Sequence, residues 1–214
     1  MRDEDDTTGE ARHQGAAAGR RVQLLDAAIR VLAAQGLRGL THRAVQQEAG
    51  LPHGSVTYYF KTRDHLVLGV IERMSELEQA AASQVADELM RAMVARPFDP
   101  DYRHIADLTK AWWDGSRDRE LARYEMQIAG RREALIGDAM RRSTAEFRKL
   151  TEFIALACGS TDAEADGEVL IAMIDGMLFH YLVNQPADPR YIEIGLRRAI
   201  ESLRSVPAEA ANRT

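Results

Sequence analysis

The stretch AGLPHGSVTYYF, residues 49–60, decides the fold because its local signals conflict. Its last five residues are β-branched or aromatic and favour a strand, whereas Pro52 is typical of the first turn of a helix. An isolated strand is not stable, and no other convincing strand occurs in the sequence. We therefore predict a short helix over 53–60, held against its own propensity by the packing of Val56 and Phe60.

Helical patterns flank this stretch on both sides. Before it, apolar residues recur every three or four positions in RRVQLLDAAIRVLAAQG, which ends at Gly36. Thr41 then precedes HRAVQQEA and is suited to cap a second, short helix, and Thr62 is suited to cap a long one. Two short helices at a sharp turn, packed on a third, form a helix-turn-helix, whose second helix fits the DNA major groove.

The short helices are rich in side chains that donate hydrogen bonds. One face of the second helix has to read base edges and phosphates, Gly54 allows close approach, and the start of the first short helix favours a phosphate. The predicted DNA-contacting residues are Thr41, His42, Arg43, His53, Gly54, Ser55, Thr57, Tyr58, Tyr59 and Lys61.

Charge is unevenly distributed along the chain. The net charge is −5, but residues 11–65 hold eight Arg or Lys and three acids, a net of +5. A small basic module joined to a larger acidic one favours a polyanion-binding head. The alternative is that this positive face is only solvated surface.

The chain organisation follows from these patterns. We expect a disordered tail over 1–19, a helix-turn-helix domain over 20–65, a ligand-binding and dimerisation domain over 66–205, and a polar tail over 206–214. The fold class is all-α. After a long helix from 66 to Pro97, the predicted helices span 101–115, 118–130, 132–157, 162–184 and 189–205.

The segment LLDAAIRVLAAQGLRGLTHRAVQQEAGLPHGSVTYYFKTRDHLVLGVI, residues 24–71, resembles the TetR family of bacterial transcriptional regulators. The resemblance implies a homodimer that binds a palindromic double-stranded DNA operator, with a divergent helical C-terminal domain that dimerises and binds a small effector. The chain departs from the family pattern at Gln46, usually a small residue, at Thr57, often a Tyr, and at Pro52, often Ser or Thr. A glutamine at position 46 either changes the packing or points outward.

The C-terminal helices supply candidates for both expected roles. Helix 162–184 is apolar nearly all round and must be covered on more than one side. We predict that it forms a dimer interface together with the last helix. The alternative is that these two helices bury only each other within one subunit. The interface candidates are Ala172, Gly176, Ile192, Leu196, Ala199 and Leu203.

A largely apolar effector of unknown identity calls for an aromatic and methionine-rich pocket. Adjacent helical residues point about 100° apart, so only one of the paired tryptophans is expected to face inward. Ordinary core is the alternative for every member of this set. The pocket candidates are Trp112, Trp113, Tyr124, Met126, Phe147, Met173, Met177 and His180.

Other classes of protein receive little support. There is no GxSxG, HExxH, P-loop or GxGxxG motif, so we expect no enzyme and no cofactor. The histidines lack metal-ligand spacing and cysteine partners, and Cys158 is the single cysteine. With no membrane-length apolar run and no secretory signal, a cytoplasmic location is expected. A helix-turn-helix scaffold that acts mainly through protein contacts is the alternative function.

Overall fold

The computed structural model describes residues 4–52, 54–94 and 100–204. All regular structure in these ranges is helical, which confirms the all-α prediction. The helices are α1 (Glu4–Gly39), α2 (His42–Glu48), α3 (Ser55–Tyr59), α4 (Arg63–Val94), α5 (Tyr102–Gly115), α6 (Arg117–Gly130), α7 (Ala134–Ser143), α8 (Ala145–Ala157), α9 (Ala163–Asn184) and α10 (Tyr191–Arg204).

The elements differ most from the sequence prediction at two places. Helix α1 continues back to Glu4, where a disordered tail over 1–19 is expected, because alanine, glutamate, glutamine and arginine in this segment are good helix formers. The predicted single helix over 132–157 is divided at Thr144, next to Ser143. Serine and threonine compete for backbone hydrogen bonds and favour helix ends. The predicted tail over 206–214 and Pro97 lie outside the described residues.

The chain forms two compact units, and their boundary differs from the one predicted between residues 65 and 66. Unit 1 comprises the segment up to Glu76 together with residues 118–143, and unit 2 comprises residues 77–117 with the segment from residue 144 onward. Helices α6 and α7 therefore belong with the helix-turn-helix. Chain order alone assigned them to the C-terminal domain, because sequence periodicity shows that a helix is amphipathic and not what it packs against.

The core of unit 1 explains why residues 55–59 are helical. Val56 and Phe60 are fully buried, together with leucines of α1 and α4. Helix α4 packs closely here, since a Cβ at Gly69 would lie 2.9 Å from Cε1 of Phe60. The predicted packing of Val56 and Phe60 is confirmed, and tertiary burial overrides the strand propensity of the segment.

Unit 2 has its own core, formed by α5, α8, α9 and α10. Tyr181 donates a hydrogen bond of 2.5 Å to Oδ1 of Asp114, and Nζ of Lys110 lies 2.5 Å from the other carboxylate oxygen. These hydrogen bonds, of which the one from Lys110 has the larger effect, lower the pKa of Asp114. The bond from Tyr181 also ties α9 to α5. The buried cluster consists of Tyr102, Ile154, Ala155, Leu170, Ala199, Ile200 and Leu203.

In the part of the chain that the structure describes, none of the helices combines the length and the apolar character that a membrane span requires.

Candidate nucleic-acid interface and effector cavity

The first short helix, α2, is fixed at its beginning by two side chains. Oγ1 of Thr41 accepts a hydrogen bond of 3.1 Å from the backbone N–H of Ala44, so the predicted cap is confirmed. His42 is half-buried, and its Nε2 donates to the carbonyl oxygen of Phe60 at 2.7 Å. This nitrogen is therefore used to hold the end of α3. The phosphate contact expected from the N–H groups at the start of α2 stays a prediction.

The turn between α2 and α3 is closed by Gln46. Its Oε1 accepts a hydrogen bond of 2.9 Å from the backbone N–H of Gly54. Gly54 has a φ of 87°, a conformation that side-chain-bearing residues rarely adopt, although a Cβ there would meet no atom within 4 Å. The glycine is thus required by backbone conformation, and the glutamine that departs from the family pattern positions the start of α3.

Helix α3 presents its polar face to solvent. Thr57 is exposed, and Tyr58 is 77% exposed, which is unusual for an aromatic side chain. The half-buried ring of Tyr59 packs edge-on against Tyr58, with 5.0 Å between the ring centroids. The hydroxyl of Ser55 donates to the carbonyl of Pro52 at 2.8 Å, so only its lone pairs remain for a base edge or phosphate.

The remaining predicted DNA contacts fall into two groups. Arg43 and Lys61 are exposed cations near the ends of the two short helices, and the capping hydroxyl of Thr41 is also exposed. His53 lies outside the described residues. Residue types alone identified the exposed polar face, whereas the linking roles of His42 and Gln46 depend on partners 18 and 8 residues away.

Unit 2 encloses an apolar cavity of about 60 Å³. Trp112, Trp113 and Phe147, three of the predicted pocket residues, line it. Both tryptophans take part, contrary to the expectation that only one faces inward, because the wide indole of the half-buried Trp112 reaches the cavity beside the fully buried Trp113. The other lining residues are Val85, Tyr102, Ile105, Thr109, Leu150, Thr151, Ile154, Leu170, Ile174, Leu196, Ala199 and Ile200.

The other five pocket candidates are not brought to this cavity. Tyr124 and Met126 lie on α6 in unit 1, where Met126 is fully buried. Met173 and His180 are exposed on α9, and the half-buried Met177 accepts a hydrogen bond of 3.2 Å at its carbonyl oxygen from the hydroxyl of Tyr191. Their apolar character predicted burial or a pocket, but not which unit or helix face each side chain belongs to.

The candidate interface residues divide between two helices. Ala172 and Gly176 are exposed on α9, and a Cβ at Gly176 would meet no atom within 4 Å. On α10, Ile192, Ala199 and Leu203 are buried. These three side chains pack inward against their own unit and are not exposed to a partner, unlike the prediction for them.

Leu196, the remaining interface candidate, also faces inward and lines the cavity. The apolar surface that α9 leaves exposed instead includes three large side chains that the prediction did not contain. They are Val169, Phe179 and Val183.

Two family models match successive parts of the chain. A model of bacterial regulatory proteins of the tetR family matches residues 24–70, and one of a tetracyclin repressor-like C-terminal domain matches residues 102–203. The nicotine-responsive transcriptional repressor HdnoR of Paenarthrobacter nicotinovorans is 29% identical, over 82% of this chain and 89% of its own length. The transcriptional regulator BetI of Burkholderia thailandensis is 31% identical, over 74% of this chain and 79% of its own.

The multidrug binding protein EbrR has a similar structure. Its imidazole complex matches with a TM-score of 0.60 and 28% identity, covering 89% of this chain and 97% of that one. Its ethidium complex matches with a TM-score of 0.56, also at 28% identity, over 84% and 97% of the two chains.

A helix-turn-helix combined with a separate helical unit that encloses an apolar cavity defines a ligand-responsive DNA-binding transcriptional regulator. The chain belongs to the TetR family of bacterial transcriptional regulators.

Proposed function

We propose that the chain is a repressor that binds a palindromic operator as a homodimer and leaves it when a small, largely apolar effector enters the cavity of unit 2. The exposed polar face of α3 carries the DNA-binding part of this proposal. Thr57 and Tyr58 project from a helix that Gln46 and His42 fix at its two ends. A helix held in this way enters the major groove without an ordering cost at the moment of binding.

Arg43 and Lys61 supply the phosphate contacts in this proposal, and Thr57 and Tyr58 the base contacts. A five-residue helix covers only a few base pairs, so specificity requires two copies on an inverted repeat. The site of action is the cytoplasm, where the bacterial chromosome lies.

The apolar face of α9 supports a homodimer. Val169, Phe179 and Val183 are each more than half exposed, next to the small residues Ala172 and Gly176. Large exposed apolar patches mark interaction sites, and small residues allow a second helix to approach closely. We assign this face to contact with the same helix of a second copy.

Helix α4 offers a route from the effector to the operator. It begins at Arg63, four residues after the end of α3, and its Val85 lines the cavity. A ligand that displaces Val85 acts directly on the helix that follows the recognition helix. To release DNA, the ligand has to bind more tightly to the conformation that does not fit the operator than to the conformation that does.

The experiment is selection of bound duplexes from a random library, followed by footprinting of the purified full chain. The expected result is one inverted repeat whose half-sites lie about one helical turn, 34–36 Å, apart. A single unrepeated half-site contradicts the dimer. Binding with no sequence preference contradicts the regulator and favours the scaffold alternative, for which no present observation speaks.

A further inference from the structure

We infer that the cavity of unit 2 selects an uncharged ligand that carries a hydrogen-bond acceptor for the indole N–H of Trp112. This inference rests on the proposed effector role of the cavity and names the chemical class of the effector. Organic cations, the class to which the ethidium bound by EbrR belongs, are excluded from this cavity by the same features.

The first feature is the charge of the wall. None of the described residues that line the cavity is Asp, Glu, Lys, Arg or His. Burying an ion in an apolar site without a counter-charge is very costly. A cation that enters this space loses its hydration and finds no carboxylate, so a neutral molecule of the same shape is strongly preferred.

The second feature is an aromatic ring that already holds a cation. Cζ of Arg197 lies 4.5 Å from the ring centroid of Tyr102, one of the cavity-lining residues. Aromatic faces are the usual means by which proteins hold organic cations without a carboxylate. At Tyr102 the chain's own guanidinium, which also pairs with Glu193 at 3.4 Å, takes that role, so this ring face is already occupied by a cation.

The third feature is the state of the polar atoms in the wall. Oγ1 of Thr109 donates to the carbonyl of Ile105 at 2.8 Å, and Oγ1 of Thr151 donates to the carbonyl of Arg148 at 2.8 Å. Both threonine protons are therefore used within their own helices. The hydroxyl oxygens keep lone pairs, which tolerate a donor on the ligand but do not require one.

Trp112 differs from these threonines. Its Nε1 is buried and has no hydrogen-bond partner among the described residues. An indole nitrogen is a donor only, and a buried donor without an acceptor is unfavourable. A ligand oxygen or neutral aromatic nitrogen that reaches Nε1 removes this penalty, whereas a hydrocarbon leaves it in place.

Ligand size sets a further condition. Sites for drug-sized molecules usually measure several hundred Å³, compared with about 60 Å³ here. Entry therefore requires lining side chains to move, and Trp112, Phe147 and Leu150 are only half-buried. Trp112, the side chain that donates the hydrogen bond in this inference, is thus also one of the less tightly buried side chains of the wall.

The experiment compares three probes with one naphthalene skeleton. They are 2-acetylnaphthalene (neutral, with an acceptor), 2-ethylnaphthalene (neutral, without one) and 2-naphthyltrimethylammonium (a cation). Calorimetric titration of the full chain is expected to give tightest binding for the ketone. The hydrocarbon should bind on the order of tenfold more weakly, the worth of one hydrogen bond, and the ammonium at least about 100-fold more weakly.

Trp112→Phe keeps the aromatic body and removes the donor. It should bring the ketone and the hydrocarbon to equal affinity. Thr109→Val is the matched control: it removes a hydroxyl whose proton is already used, so the preference for the ketone should remain. A preference that survives Trp112→Phe, an ammonium that binds as tightly as the ketone, or failure of all three probes to bind overturns the inference.

The same probes separate this inference from the proposed function. If the ketone binds through Trp112 but leaves operator affinity unchanged, the ligand class stands and the effector role fails. If the ammonium releases the operator and the ketone does not, the effector role stands and the ligand class is wrong. Fluorescence anisotropy of labelled operator, measured beside the calorimetry, distinguishes these outcomes.

Discussion

Two polar side chains of α2 determine where the recognition helix lies. Gln46 reaches the first residues of α3 through the N–H of Gly54, and His42 reaches its end through the carbonyl of Phe60. Backbone groups at the ends of a short helix have no partners within it. By satisfying one at each end, these side chains orient a helix too short to be stable alone.

Lys61 is expected to contribute to the affinity for DNA and not to the choice of DNA sequence. Lys61→Ala should weaken binding to all DNA sequences by a similar factor and reduce the slope of log K against log salt by about one unit, because one phosphate contact and its released counterion are lost. Filter binding at several salt concentrations, on operator and on unrelated duplex, measures both effects. Lys61→Arg keeps the charge and should keep the slope. An unchanged slope in the alanine variant would show that Lys61 does not contact a phosphate.

Gln46 offers a test of the turn itself. Gln46→Ala removes the acceptor for the N–H of Gly54 and should lower the free energy of unfolding by about 1 kcal/mol, as well as weakening operator binding. Gln47→Ala changes the exposed neighbour on the same helix and serves as the control. Urea denaturation and operator titration are the measurements. Equal stability and affinity in the two variants would contradict the positioning role of Gln46.

The caps at Thr41 and Thr62 were predictable from sequence, whereas the contacts of His42 and Gln46 were not. Each threonine accepts from a backbone N–H three residues on, a relation set by local helix geometry. His42 and Gln46 find their partners across the turn, and that distance is known only once the helices are packed. The sequence did mark Gln46 as unusual, which was the one available signal of its role.

In α3 and α10 the spacing of apolar residues leaves two structures possible, and the surrounding chain decides between them. Periodicity could not tell helix from strand for Val56 and Phe60, since residues four apart share a face in both; the absence of a partner strand decided it correctly. For α10, periodicity identified the apolar face correctly but not its partner. That face packs into unit 2, and α9 keeps its own apolar face exposed.

The exposed face of α9 makes a direct prediction about assembly. Gly176→Arg should yield a folded monomer, since arginine is a better helix former than glycine and a Cβ at this position meets nothing within 4 Å. In a dimer the arginine would be buried unpaired, which costs several kcal/mol. Sedimentation and operator titration are the measurements, with Glu201→Arg at an exposed position of α10 as control. A Gly176→Arg dimer with normal operator affinity would exclude this face as the interface.

The division of the chain into two units is the part of the architecture that sequence order concealed. Helices α6 and α7 follow α5 along the chain but pack with the helix-turn-helix. As a result, Tyr124 and Met126 lie in a different unit from the cavity that they were expected to line. The tryptophans of α5 and Phe147 of α8 do line the cavity, since both helices lie in unit 2.

Coupling between the effector cavity and the operator has to be reciprocal, and this gives the strictest test of the proposed regulation. An effector that lowers operator affinity by a typical 5- to 150-fold, a coupling of about 1–3 kcal/mol, must itself bind that many times more weakly when operator is present. Titrating 2-acetylnaphthalene into the free chain and into the chain saturated with operator measures the two ketone affinities, and their ratio is the coupling factor. Trp112→Phe should weaken ketone binding equally in the two states, because it removes a contact to the ligand and not the coupling. Equal ketone affinities with and without operator would remove the regulatory role of the cavity and leave DNA binding by α3 untouched.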